Sequence, residues 1–323
     1  MLKFFWLCCL WFAMVQCAKK KVEISAVDLS YPTAMNLNEV KFLNAEIGFA
    51  MGGDRFKKPL LLKTMDGGQH WASLSIPQGS EEKEIFGFDI NAQGEILTVG
   101  YGGTIFHSKD SGNSWVYSQH PSWEELHDVC FRESDTSVIV GGRGFNMGWI
   151  SKYLRQTQKA EPIDDQRNFE LRDIDAPTND VLYVSGYGAV LKSVNGGEHW
   201  DFTAAENDYF TAMAWRNSNE GVVVGYGGSI CTTHDGGASW KTVRNGNKWL
   251  QTKIHWKGIA ENGSGIYVAV GEKGKVFRSL DDGASWKEVT PFTDKDLHAV
   301  NFIDAQHIII VGEKGCIFKL LVE

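Results

Sequence analysis

The sequence predicts an all-β fold: a seven-bladed β-propeller with four-stranded antiparallel blades, its ring closed by an N-terminal strand in the last blade. Three observations predict it. First, a turn of one form recurs five times: TMDGGQHW, SKDSGNSW, SVNGGEHW, THDGGASW and SLDDGASW. Second, their Asp or Asn residues, Asp66, Asp110, Asn195, Asp235 and Asp281, are spaced 44, 85, 40 and 46 residues apart. A period in the forties built from strands is a propeller signature. The long gap spans two periods, so one copy has decayed near Ser151-Lys152-Tyr153. Third, a phrase such as ILTVGYGGTIFHS, VLYVSGYGAVLKS or GVVVGYGGSICTT precedes the turns. It reads as strand, glycine turn, strand.

The chain has 323 residues, 43% hydrophobic and 22% charged, with 35 glycines and 7 prolines. That composition is globular. Residues 1–17, MLKFFWLCCLWFAMVQC, carry one early lysine and an apolar run from Phe4 to Val15. The run is shorter than the about 20 residues a spanning helix needs, and it reads as a signal peptide. Cys17, followed by Ala18-Lys19-Lys20-Lys21, is a candidate for lipid attachment; cleavage near Ala18 is the alternative. The propeller then occupies residues 18–323, exported to the periplasm or anchored as a lipoprotein of a bacterial envelope.

Within each blade the strands follow in order. The innermost strands centre near Val40, Phe88, Val129, Ile174, Met213, Ile259 and Val300. The second and third strands flank the glycine turn, and a fourth, such as WKTV or WKEV, follows the Trp. The recurrent turn joins strands three and four. Its glycines supply positive φ, its Asp accepts backbone N–H groups, and its Trp buries a ring between blades. One carboxylate per turn falls short of a calcium site. The last blade lacks a fourth strand, and VEISAVDLSY at 22–31 is expected to supply it and remove an exposed edge. Cys130, Cys231 and Cys316 fall in strand-like apolar runs and read as buried free thiols. No CxxC or HxxxH spacing proposes a metal, and no fingerprint proposes a cofactor.

These turns resemble the Asp-box (BNR) repeat. Together with the glycine turns, they resemble the photosystem II stability/assembly factor family of propellers. The resemblance implies that the Asp boxes are structural and lie on the lower, outer side. It also implies a non-catalytic protein that binds membrane-protein intermediates. Sialidases carry the same box, so a glycan-binding or glycan-cleaving propeller is the alternative.

Function is expected on the upper face, around the central channel. One aligned set opens each innermost strand: Asn38, Phe86, His127, Arg172, Thr211, Lys257 and His298. His127, Arg172, Lys257 and His298 suggest a cationic mouth for a carboxylate, phosphate or acidic segment; the alternative is that these side chains bond neighbouring strand-end carbonyls. A second set, Tyr101, Tyr187, Tyr226, Glu272 and Glu313, occupies the turns between strands two and three. Arg55 and Arg143 come from irregular turns. The loop GRGFNMGW adds Phe145 and Trp149. Aromatic groups of this kind suit a protein interface. Glu272 and Glu313 are the only pair nominated for glycosidic cleavage, and the Arg-Ile-Pro motif of sialidases is absent. A formal net charge of -8 argues against nucleic acid. The expected partner is a membrane or envelope protein, bound by a monomeric propeller.

Overall fold

The computed structural model describes residues 21–56, 58–75, 83–132, 135–249 and 251–322. Cys17 and the leader lie outside the described residues. Seven four-stranded antiparallel sheets are present. The first contains Asn36–Phe42, Gly48–Asp54, Lys58–Thr64 and Ala72–Ser73. The innermost strands of the next six are Ile85–Ile90, Leu126–Phe131, Leu171–Asp175, Phe210–Trp215, Trp256–Glu261 and Leu297–Phe302. Each holds one of the expected central residues. Among the described residues no helix is long and apolar enough to cross a membrane.

The ring closes as the sequence predicts. Ala26–Asp28 lies antiparallel to Ile317–Leu321 and becomes the outermost strand of blade 7. The pairing continues through Leu29 N–H to Ile317 O and Tyr31 N–H to Gly315 O. One feature was not anticipated. Before reaching blade 7, the chain runs along blade 6, where Val22 pairs parallel to Val289.

The five Asp boxes share one hydrogen-bond plan. The opening Ser or Thr donates to the Asp or Asn Oδ1 at 2.8–2.9 Å and accepts the N–H of the second glycine. The same Oδ1 accepts an N–H four residues on, from His70, Ser114, His199, Ser239 or Ser285. The box therefore replaces missing sheet partners at the hairpin's end. The opening hydroxyl residues are the buried members, with Thr64, Ser108, Ser193, Thr233 and Ser279 all 2% exposed or less.

The two box glycines differ in duty. The first position holds φ +66 to +70 as Gly67, Gly196 and Gly236, but Ser111 and Asp282 adopt it too, at φ +55 and +56. The second is glycine in all five. It combines positive φ with close approach to the preceding blade: a Cβ on Gly68 would lie 2.9 Å from Ile309, and one on Gly112 2.8 Å from Leu74. The box is thus also an inter-blade contact. Its Trp rings pack inward as expected: Trp200 is buried, and the other four are partly buried against the cores.

Blade 3 has no box. Its third strand, Met147–Leu154, turns through Gln158 at φ +56 into Lys159–Arg167. There Arg155 reaches blade 2 and pairs with Glu95 at 2.6 Å, which also holds His107 at 2.6 Å. An ion pair across the blades takes the place of the box. Cys130, Cys231 and Cys316 are buried and free; burial pushes each thiol pKa up, Cys316 to about 11.

The innermost strands of neighbouring blades do not share a ladder, so each leaves backbone groups facing the channel. Side chains from adjoining blades satisfy them. Asp89 accepts Phe131 N–H at 2.8 Å, Asp128 accepts Ile174 N–H at 3.1 Å, and Asp173 accepts Met213 N–H at 2.6 Å. Asn301 accepts Phe42 N–H at 3.2 Å across the closure. This belt ties the ring together around its axis.

Candidate functional site

The glycine turn between strands two and three is shaped by what lies behind it. A Cβ on Gly100, Gly186 or Gly312 would stand 2.0–2.2 Å from the carbonyl oxygen of Glu84, Glu170 or Asp296. Only glycine permits that approach. The next residue then donates its N–H to the same carbonyl: Tyr101 to Glu84, Tyr187 to Glu170 and Glu313 to Asp296, each at 2.9 Å. Tyr226 and Glu272 do so to Tyr209 and His255. Five turns are thereby held over the channel in one register.

All seven residues that open the innermost strands line a single cavity of about 980 Å³ at the axis. The sequence alignment of blades is therefore correct at the mouth. The mouth is not the cationic ring it was expected to be. Burial, with Lys257 nearby, depresses His298 to about 4, and its Nδ1 bonds Leu37 O at 3.0 Å. Thr211 donates to Trp256 O at 2.9 Å and Asn38 to Ile85 O at 2.8 Å. These three serve the backbone of the adjoining blade. Lys257 is paired with Asp296 at 3.1 Å.

Arg172 and His127 belong to a partly buried network, with His127 and Glu170 its buried members. His127 Nε2 lies 2.9 Å from Glu170 Oε1, and its Nδ1 lies 3.2 Å from the Arg172 guanidinium. Arg172 Nε donates to the Tyr209 hydroxyl and lies 3.4 Å from Glu170. Burial, and then Arg172, depress His127 to about 4, so the imidazole is neutral. Burial alone would raise Glu170, but the His127 bond and the Arg172 charge outweigh it and hold the carboxylate at about 2. Burial pushes the Tyr209 phenol up. The network also positions the loop: Glu170 Oε2 accepts the N–H of Phe145, which stands at φ +67.

From Phe145 a run of rings follows the rim. Phe145 meets Tyr187 at 5.2 Å and Tyr209 at 5.7 Å; Tyr209 meets Tyr226 at 6.4 Å, and Tyr226 stacks on His255 at 3.8 Å. Phe145, Tyr187 and Tyr226 are 56%, 49% and 47% exposed. Tyr101 stands apart, in a smaller group with Phe56 and Arg55. Trp149 is half-buried within its strand and Arg143 pairs with Glu124, so neither joins the ring run. Glu272 lines the cavity and pairs with His255 at 2.8 Å, whereas Glu313 pairs with Lys314 at 2.6 Å outside the lining. The two glutamates nominated for glycosidic cleavage do not face one cavity.

Below the mouth the channel has two unlike walls. Blades 1, 3 and 4 turn Glu39, Lys41, Asp128, Asp173 and Asp175 inward, and blades 5–7 turn Ala212, Ala214, Gly258, Ala260 and Ala299, with Glu261 and Asn301 at their ends. Lys41 offsets the acids and pairs with Asp89 at 3.2 Å. Burial raises Glu39 to about 7 and Asp175 to about 6. Asp173 rises well above the usual range through burial and its hydrogen-bonded neighbour Asp128.

Sequence reasoning missed Glu170, Tyr209 and this acidic wall. For Glu170 and Tyr209 the signal lay two residues ahead of the chosen column. Glu84, Glu125, Glu170, Tyr209, His255 and Asp296 occupy equivalent places before the innermost strands. Their acids meet the cations of the mouth.

A family described as "Photosynthesis system II assembly factor YCF48" matches residues 18–122. A protein of Synechococcus sp. (strain CC9902), "Photosystem II assembly lipoprotein Ycf48", is 25% identical over 268 residues, covering 67% of this chain and 77% of that protein. The chain is similar to these photosystem II assembly factors. Two solved structures agree in fold. "YCF48 bound to D1 peptide" superposes with a TM-score of 0.75 at 14% identity, over 94% of this chain and 100% of that one. YCF48 from Cyanidioschyzon merolae gives 0.71 at 17% identity, over 92% and 99%. The ring here carries its aromatic rim and central cavity on the face opposite its Asp boxes.

Proposed function

We propose that this propeller is a non-catalytic platform that binds an exposed segment of a membrane protein during assembly of its complex. The observation that carries the reading is the convergence of seven blades on one cavity flanked by exposed aromatic rings. Such rings give large contact area at low entropic cost. The names of its relatives support it: one is called a photosystem II assembly lipoprotein, and a similar structure is described as bound to a D1 peptide. The neutral, paired mouth favours a segment that combines apolar contact with hydrogen bonding over a small anion held by charge. Phe145, Tyr187 and Tyr226 carry affinity; Arg172 and His127 fix the rim; Lys257, Glu272 and Tyr101 extend the contact. Cys17 would tether the exported protein to its membrane, leaving residues 18–323 as the folded ring. Recovery of crosslinked partners from native membranes tests this. Phe145→Ala and Arg172→Glu should each lower partner recovery at least tenfold. Unchanged recovery with both variants would refute the reading.

A further inference from the structure

A second surface lies at the corner of blades 5 and 6, apart from the cavity. The loop between Lys241–Arg244 and Trp256–Glu261 belongs to the upper face. It throws Trp249 outward, 90% exposed. The loop is tied down behind this ring: Arg244 donates to Gly228 O and Thr252 O, and Gln251 N–H donates to Lys248 O at 2.9 Å. Among the described residues Lys248 and Lys253 have no ion-pair partner.

The N-terminal chain reaches the ring at this same corner. Lys21 pairs with Glu288 at 2.8 Å, and Lys275 shares that carboxylate at 2.7 Å. Two ammonium groups on one carboxylate leave a positive excess. Gln251, Thr252, Lys275 and Glu288 line one cleft of about 420 Å³, which joins the Trp249 loop to the point of entry. The sequence ahead of Lys21 adds Lys19 and Lys20 and, four residues before it, Cys17, the candidate for lipid attachment. Four residues span at most about 14 Å.

A lone exposed Trp between unpaired lysines is the composition of an interfacial anchor: the ring rests among headgroups and the ammonium groups meet lipid phosphate. A chain of net charge -8 would be repelled by an anionic surface, so it must approach through a local positive corner. We propose that the blade 5–6 corner docks on an anionic bilayer through Trp249, Lys248 and Lys253. This does not rest on the platform reading. It fixes how the ring meets the membrane, with the upper face alongside the lipid.

The chain from Ala18, which holds every strand of the ring, is sedimented with vesicles of phosphatidylglycerol and phosphatidylcholine at 1:1, and with phosphatidylcholine alone. Binding should favour the anionic vesicles. Trp249→Ala should weaken it about tenfold, and the Lys248→Gln/Lys253→Gln pair about 25-fold. Both sites are exposed, and unchanged melting curves verify the fold. Trp123→Ala, an exposed ring in the loop between Gln119 and Leu126, should bind as wild type. Absence of binding to anionic vesicles, wild-type binding by the Trp249 and lysine variants, or equal loss with Trp123→Ala would overturn the proposal. No protein partner is present in this assay, so its failure leaves the cavity reading untouched.

Discussion

Replacing Glu39 by Gln should stabilise the ring at pH 8 and leave it unchanged near pH 4.5. Glu39 lines the channel and is raised from 4.5 to about 7, because burial opposes its charge more than Lys41 supports it. The native state therefore holds a proton between pH 4.5 and 7 that the unfolded chain has released. Stability from this group is complete below 4.5 and is lost as pH rises through 7. A displacement of 2.5 units corresponds to ~3.4 kcal/mol as a ceiling. Water in the channel screens the charge, which brings the expected gain to ~1–2 kcal/mol, about 1.5–3 °C in Tm. Gln keeps the acceptor for Val40 N–H, and Lys41 keeps Asp89. His127 and His298, depressed to about 4, act in the opposite sense: their stability is lost as pH falls from 6.5 through 4. They are common to both proteins, so the difference between two melting curves isolates Glu39. Equal Tm at pH 8, or a shift of the same size at pH 4.5, would refute the reasoning.

The remaining predictions concern the boxes. Ser279→Ala removes the hydroxyl that supports Asp281 and strands the buried Gly283 N–H; denaturant unfolding should show a loss of ~1–3 kcal/mol. Ser111→Gly relieves a left-handed residue at φ +55 whose equivalents in three boxes are glycine, and should gain about 1 kcal/mol in the same assay. Gly112→Ala at the next position should instead destabilise by ~2 kcal/mol or more, because the added methyl meets Leu74 at 2.8 Å.

The repeat made the fold legible. Five boxes fixed the period, the glycine turns fixed the register, and the unpaired segment at 22–31 fixed how the ring closes. The same register brought His127, Arg172, Lys257 and His298 to one mouth. Their charge state was not legible, because it depends on which neighbour each side chain meets. His298 turns to Leu37 O, 261 positions away, and Lys257 meets Asp296 from the next blade. A column of basic residues read alone looks cationic; the acidic column just ahead of it neutralises the mouth. The ring run was half legible: Phe145, Tyr187 and Tyr226 were visible, whereas Tyr209, which bridges them, precedes its strand outside either chosen column. Arg155 replaces the box of blade 3 through a contact with Glu95 that no local pattern announces.

Site-directed photocrosslinking in native membranes tests the central claim most directly. A photoreactive side chain at Phe145, on the aromatic rim, is compared with one at Val194, an exposed position in an Asp box on the lower face. The account predicts that position 145 captures a membrane-protein segment and that position 194 does not. Equal capture at both positions, or capture from 194 alone, would contradict it.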